Sequence, residues 1–139
     1  MIIGSDHRGF LLKQYIIANY HAVEFIDVGS FSEASVDFPD IVASMVDNWS
    51  KNSFGVLICG SGIGMSIAAN KYKKMRAALC RDEEDVKQAR MHNDANVLVL
   101  SANLLPQYAL KLIDIFANTS FSKEEKYINR VKKIDDIIL

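Results

Sequence analysis

The chain has 139 residues, enough for one domain with a real hydrophobic core and too few for two ordinary ones. Half of the residues are hydrophobic and 24% are charged, and a net charge of -1 excludes a general electrostatic attraction to nucleic acid or anionic membrane. No apolar stretch approaches the roughly 18 residues of a membrane span. The opening MIIGSDHRGF lacks the basic segment of a targeting signal.

Strand and helix signals alternate along the chain. Met1–Ile3 is a short apolar run stopped by Gly4-Ser5-Asp6. Gly9 to Tyr20 reads as helix, with Phe10, Leu12, Ile16 and Ile17 roughly on one face, and Val23–Val28 as a second strand ended by Gly29-Ser30. Pro39 starts a helix whose stripe includes Ile41, Val42, Met45, Val46 and Trp49. Phe54–Ile58 is the third strand and Met65–Tyr72 the helix beyond a glycine loop. Ala77–Leu79, the charged helix Glu83 to Met91, Asn96–Leu100 and a proline-opened helix Pro106–Asn118 follow. A last helix runs from about Lys123 to Ile138. Near-continuous apolar strands separated by helices imply a parallel sheet covered on both faces, one doubly wound α/β domain over residues 1–139. The last helix is extra to that core. Its stripe of Tyr127, Val131, Ile134 and Ile138 lies back on its own domain or docks on a second subunit.

The chemistry concentrates in CGSGIGMSIAANK, residues 59–71. A P-loop would need a Lys-Ser/Thr pair where Met65-Ser66 stands. The dinucleotide fingerprint would need glycine at Met65 and a place after the first strand. Gly60, Gly62 and Gly64 nevertheless allow successive backbone N–H groups to converge on one point. Such a nest suits a phosphate or an oxyanion formed during reaction, and a tight turn that needs glycine for packing is the plain alternative. Cys59, at the end of a central strand and facing the next helix N-terminus, has the usual setting of a reactive thiol. Cys80 has a strand end but no nest after it, which suits a small buried core residue. Two free thiols suit a reducing cytoplasm.

Asp6-His7 directly follows strand one. With strand order 2-1-3-4-5, strands one and three are neighbours at the topological switch point, and Asp6, His7, Cys59 and the nest share one crevice. His92-Asn93-Asp94 adds a second polar cluster whose plain reading is a helix C-cap. His21 belongs at the other end of the sheet and receives no role. No Cys or His pair has chelating spacing, so no metal is expected.

The run CGSGIGMSIAANK, with GSDHRGF, DFP at 37–39 and HNDANVL at 92–98, closely resembles the type B ribose-5-phosphate isomerases, grouped with galactose-6-phosphate and allose-6-phosphate isomerases. The resemblance covers nearly the whole chain. It implies a five-stranded parallel α/β/α sandwich of Rossmann-like kind. It also implies a homodimer, or a dimer of dimers, with active sites at the subunit interface and no metal or organic cofactor. The implied reaction interconverts ribose 5-phosphate and ribulose 5-phosphate, a step of the pentose phosphate pathway, through an enediolate. By the same resemblance Cys59 is the base, because the branch lacking that cysteine has glutamate where Met65 stands. Ser61 assists proton handling, and Gly60, Gly62, Ile63 and Gly64 form the anion hole. His92, with Asn93 beside it, opens the furanose ring, while Asp6 and His7 contact ring oxygen, hydroxyls and phosphate.

The chemistry fits those residue types. A proton alpha to a carbonyl leaves only if the enediolate is stabilised, and a positioned base contributes about a hundred- to ten-thousand-fold. The sequence departs from the family's pattern at the phosphate clamp, where two arginines four apart become Lys126 and Arg130 and a further arginine becomes Asn103. Phe38 replaces a tyrosine. These departures bear on phosphate affinity and sugar length and leave a six-carbon sugar-phosphate isomerase as the alternative, while a non-catalytic module that binds a sugar phosphate is the alternative from another class.

Overall fold

A computed structural model describes residues 1–137, so Ile138 of the last helical stripe lies outside the described residues. Five strands alternate with helices: β1 (Ile2–Ser5), α1 (Phe10–Asn19), β2 (Ile26–Asp27), α2 (Phe38–Asp47), β3 (Gly55–Cys59), α3 (Ile63–Ala69), β4 (Ala77–Leu79), α4 (Glu83–Asn93), β5 (Val97–Ser101), α5 (Pro106–Asn118) and α6 (Glu125–Asp135). All strand pairs are parallel. Side chains alternate across β3, with Val56 and Ile58 in a core against α1, α4 and α5. Leu57 and Cys59 belong to a second core against α2 and α3. The sheet is thus a hydrophobic layer between two helical layers, as expected of a doubly wound domain.

The order of the strands differs from the sequence expectation: it is β2-β1-β3-β5-β4, not 2-1-3-4-5. Burial explains the exchange. A strand inside the sheet is covered on both faces and must be apolar throughout, and the VLVL of β5 is fully buried. The three residues of β4 are only partly buried, which suits an edge. β1 and β3 remain neighbours, so the switch point survives the correction.

Several boundaries also move. β1 includes Gly4 and Ser5 rather than ending before them. β2 shrinks to two residues, because as the outer edge strand it pairs only with Ile2 and Ile3. α3 starts at Ile63, since Gly62 takes the left-handed conformation (φ 82°) that turns the loop straight into a helix. It ends at Ala69, where the Asn70 amide exchanges hydrogen bonds with Ala77 N and O and so ties the helix end to β4. α4 continues through His92 and Asn93 and closes on Asp94 in the left-handed region (φ 45°).

The extra helix α6 lies back on its own domain. Val131 is its buried residue, and Arg76 bridges Asp94 and Asp135 at 3.1 and 2.9 Å, clamping α6 to the start of β4. Ile128 and Ile134 remain exposed.

Candidate active site

Two loops meet where β1 and β3 end side by side. In the loop after β1, Asp6 is almost buried and its Oδ1 accepts the backbone N–H groups of Arg8 (2.9 Å) and Gly9 (3.0 Å). That carboxylate oxygen therefore holds the turn into α1, leaving the other for a ligand. His7 accepts the Val36 N–H on Nδ1 (3.3 Å). The imidazole is then the Nε2–H tautomer, with that N–H available as a donor.

In the loop after β3, the Cys59 sulfur accepts the Gly62 N–H at 3.1 Å. Such a bond strengthens when the sulfur carries negative charge. The Ser61 hydroxyl is exposed at the mouth and accepts the Ile63 N–H (3.2 Å). Gly60 is buried, Ile63 exposed and Gly64 half-buried against the Phe38 ring. Met65, where one branch of the resembled family has glutamate, is fully buried in the α2/α3 core and offers no base.

Sequence reasoning missed two residues here. Ser101 at the end of β5 donates to Gly60 O (2.8 Å) and accepts the Asn103 N–H (3.1 Å), so it braces the glycine loop from its far side. Arg8 lies over the loop: a Cβ on Gly60 would stand 2.9 Å from its guanidinium carbon. The only sequence signal for Arg8 was a cation next to Asp6-His7.

The other expected site residues are not in this crevice. α4 starts beyond the C-terminal end of β4 and runs back, so His92 and Asn93 come just before β5 begins. Val97, the first residue of β5, is level with Gly55, whereas Cys59 is level with Ser101. Four strand steps separate the two levels, roughly 13 Å at about 3.3 Å per residue. At that far end the His92 ring stacks on Tyr127 of α6 (centroids 4.4 Å apart, 14° between planes). Lys126 Nζ and the Arg130 guanidinium lie 4.8 and 5.6 Å from the same Tyr127 ring. Asn93, Lys126 and Arg130 are exposed. One imidazole and two cations thus form a cluster separate from the thiol.

Two titratable groups outside both clusters, Cys80 and Tyr20, are structural. Cys80 is a free thiol, as is Cys59, but burial and the nearby Asp85 and Asp82 push its pKa up to about 12, so it stays neutral. Burial and its hydrogen bond to Asp114 raise Tyr20 similarly, to about 12. Among the described residues no group of three His, Cys, Asp or Glu is placed to hold a metal ion. None of their helices is long and apolar enough to cross a membrane.

A doubly wound domain with a thiol and a glycine loop at its switch point defines an α/β protein whose candidate site lies where such folds commonly bind small ligands. Comparison narrows this. The sequence model of the ribose/galactose isomerase family matches residues 1–134. A ribose-5-phosphate isomerase B of Listeria innocua is 35% identical over 140 residues, covering 96% of this chain and 95% of its own. Among solved structures, ribose 5-phosphate isomerase B of Anaplasma phagocytophilum is 42% identical with a TM-score of 0.89, covering 96% of this chain and 94% of its own. The Thermotoga maritima enzyme is 40% identical at a TM-score of 0.86, with 98% and 97% covered. The chain belongs to the ribose/galactose isomerase family.

Proposed function

We propose that the protein is an aldose–ketose isomerase that interconverts ribose 5-phosphate and ribulose 5-phosphate, with Cys59 as base. The observation that carries this reading is the Cys59 sulfur, set at the mouth of a glycine loop and hydrogen-bonded by the Gly62 N–H. In the forward direction the thiolate takes the proton from carbon 2 of the open-chain aldose. The electron pair moves to the carbonyl oxygen, giving an enediolate. The proton returns to carbon 1 while the proton of the carbon-2 hydroxyl passes to the carbon-1 oxygen, so atoms and electrons balance with no oxidant. With the Gly62 and Ile63 N–H groups bonded to Cys59 and Ser61, the remaining N–H groups of the loop and the Ser61 hydroxyl stabilise the developing negative charge. The free oxygen of Asp6 and the Nε2–H of His7 hold substrate hydroxyls or the ring oxygen.

Ring opening needs a proton carrier, and His92 suits it chemically. It lies too far from Cys59 in its own chain. The reading therefore takes His92, Asn93, Lys126 and Arg130 from a second copy, in a homodimer whose active sites straddle the interface. Exposed Leu11, Phe31, Ile63 and Leu105, all on helix starts or loops at the thiol end of the sheet, offer an apolar rim for that copy to cover. The two free thiols suit work in the cytoplasm.

The test is proton NMR of the protein with ribose 5-phosphate in heavy water. Ribulose 5-phosphate appearing with deuterium incorporation supports the reading. If only allose or galactose 6-phosphate reacts, the substrate is a hexose phosphate. Binding of all three without carbon-2 exchange would leave a sugar-phosphate-binding module.

A further inference from the structure

Arg8 has no part in the chemistry above, yet its position is defined by the loop that carries the thiol. A Cβ built on Gly60 would stand 2.9 Å from Cζ, 2.9 Å from Nη1 and 3.0 Å from Nε of Arg8. Three atoms of one planar group equidistant from one point place that point over the plane. The guanidinium therefore lies face-on to the Gly60 Cα, in space that only glycine leaves open.

The root of the side chain is fixed as well, because Asp6 Oδ1 accepts the Arg8 N–H at 2.9 Å. At this end of the sheet Lys13 is buried in an ion pair with Asp27 at 2.6 Å, and Arg81 lies 3.8 Å from Asp85. Arg8 has no carboxylate partner among the described residues. The residue is exposed, while Cys59 beneath the loop is 5% exposed.

We propose that Arg8, lying over Gly60, anchors the phosphate of the substrate and so sets the distance between phosphate and thiol. This rests on the isomerase reading above. The reacting carbons must descend to the Cys59 sulfur, so the other end of an open-chain sugar phosphate points outward to the rim where Arg8 stands. One face of the guanidinium is taken by Gly60, which leaves its in-plane N–H fork for the bidentate contact that phosphate oxygens accept. Asn103, braced behind the same loop, offers no cation. The chain's own cation for the phosphate thus comes from the β1–α1 loop, opposite the Lys126 and Arg130 of a second copy. A cation held at a fixed distance from the base also selects chain length, favouring a five-carbon over a six-carbon phosphate.

The experiment compares wild type, Arg8→Ala and Arg8→Lys by steady-state kinetics on ribose 5-phosphate and by calorimetric binding of inorganic phosphate, with circular dichroism confirming the fold. Arg8→Ala should raise KM about ten- to a hundredfold, the worth of hydrogen bonds to a charged group. Its kcat should stay within a few-fold, and phosphate binding should weaken in parallel. Arg8→Lys should fall between, keeping charge without the fork. Unchanged KM and phosphate affinity in Arg8→Ala would overturn the assignment, and so would a loss confined to kcat. The isomerase reading fails separately. If wild type leaves ribose 5-phosphate unreacted but Arg8→Ala still loses phosphate binding, the anchor stands and the substrate assignment falls.

Discussion

At the thiol end of the sheet the candidate site is made mostly of backbone, whereas at the far end it is made of side chains. Around Cys59 the geometry comes from a glycine at φ 82°, an N–H to sulfur at 3.1 Å and a hydroxyl bracing Gly60 O. Around His92 it comes from an aromatic stack and two exposed cations on α6. Backbone held by strand ends tolerates little change at Gly62, where φ is 82°, and at Gly64, where a Cβ would stand 2.7 Å from the Phe38 ring. Exposed side chains on a helix can shift or be replaced with smaller effects. The comparison also separates the roles. The rigid end suits proton abstraction, where small misplacements cost rate. The adaptable end suits recognition and ring opening on another copy.

The sharpest way to break this comparison is to inactivate each end in a different chain. Cys59→Ala and His92→Ala should each fold and lose turnover by about a hundred- to ten-thousandfold. Co-refolded in equal amounts, they should regain about a quarter of wild-type activity. Half of the dimers would be mixed, each with one site complete. Mixtures as inactive as their parents would place both residues in one chain's site and sink the two-copy arrangement.

Next in size is Gly62→Ala. It forces alanine to φ 82° and brings a Cβ to 2.5 Å from Leu79 Cδ1. A loss of about 1–3 kcal/mol of stability in urea melts is expected, with turnover falling further as the bond to sulfur shifts. A neutral result would show that the loop is not rigid.

At the other end, Tyr127→Leu keeps an apolar residue on α6 but removes the stack on His92. Turnover should fall only about two- to tenfold, the equivalent of an aromatic pair. A thousandfold loss would mean the far end is as unforgiving as the thiol end.

The smallest effect at neutral pH concerns the thiol that does no chemistry. Cys80 is held neutral up to about 12, above its ordinary 9.0, so an unfolded chain ionises first as pH rises. Stability is then fully present below pH 9 and declines from pH 9 towards 12, with Tyr20 adding to the slope above pH 10. Cys80→Ala should flatten the part between pH 9 and 10, measured by thermal melts in a pH series. An unchanged slope there would remove Cys80 as its cause. Iodoacetamide at pH 8 should label Cys59 before Cys80 in the folded protein, which would mark the difference between the two strand ends directly.

The sequence by itself determined the elements and the place of the glycine loop among them. Apolar periodicity, Pro106 and the alternating glycines act within a few residues, so the sequence located the helices and strands to within a few residues and placed Cys59 beside a glycine loop. The motifs likewise singled out Asp6, His7 and His92.

Tertiary structure alone decided which of these meet. The exchange of β4 and β5 follows from competition for the doubly covered interior, which depends on every strand at once. The folding-back of α6 depends on Arg76, Asp94 and Asp135, residues far apart in the chain. The four strand levels that separate His92 from Cys59 are set by the register of β3 with β5. Arg8 gave no pattern because its meaning lies in a contact with Gly60, 52 positions away, that only the pairing of β1 with β3 creates.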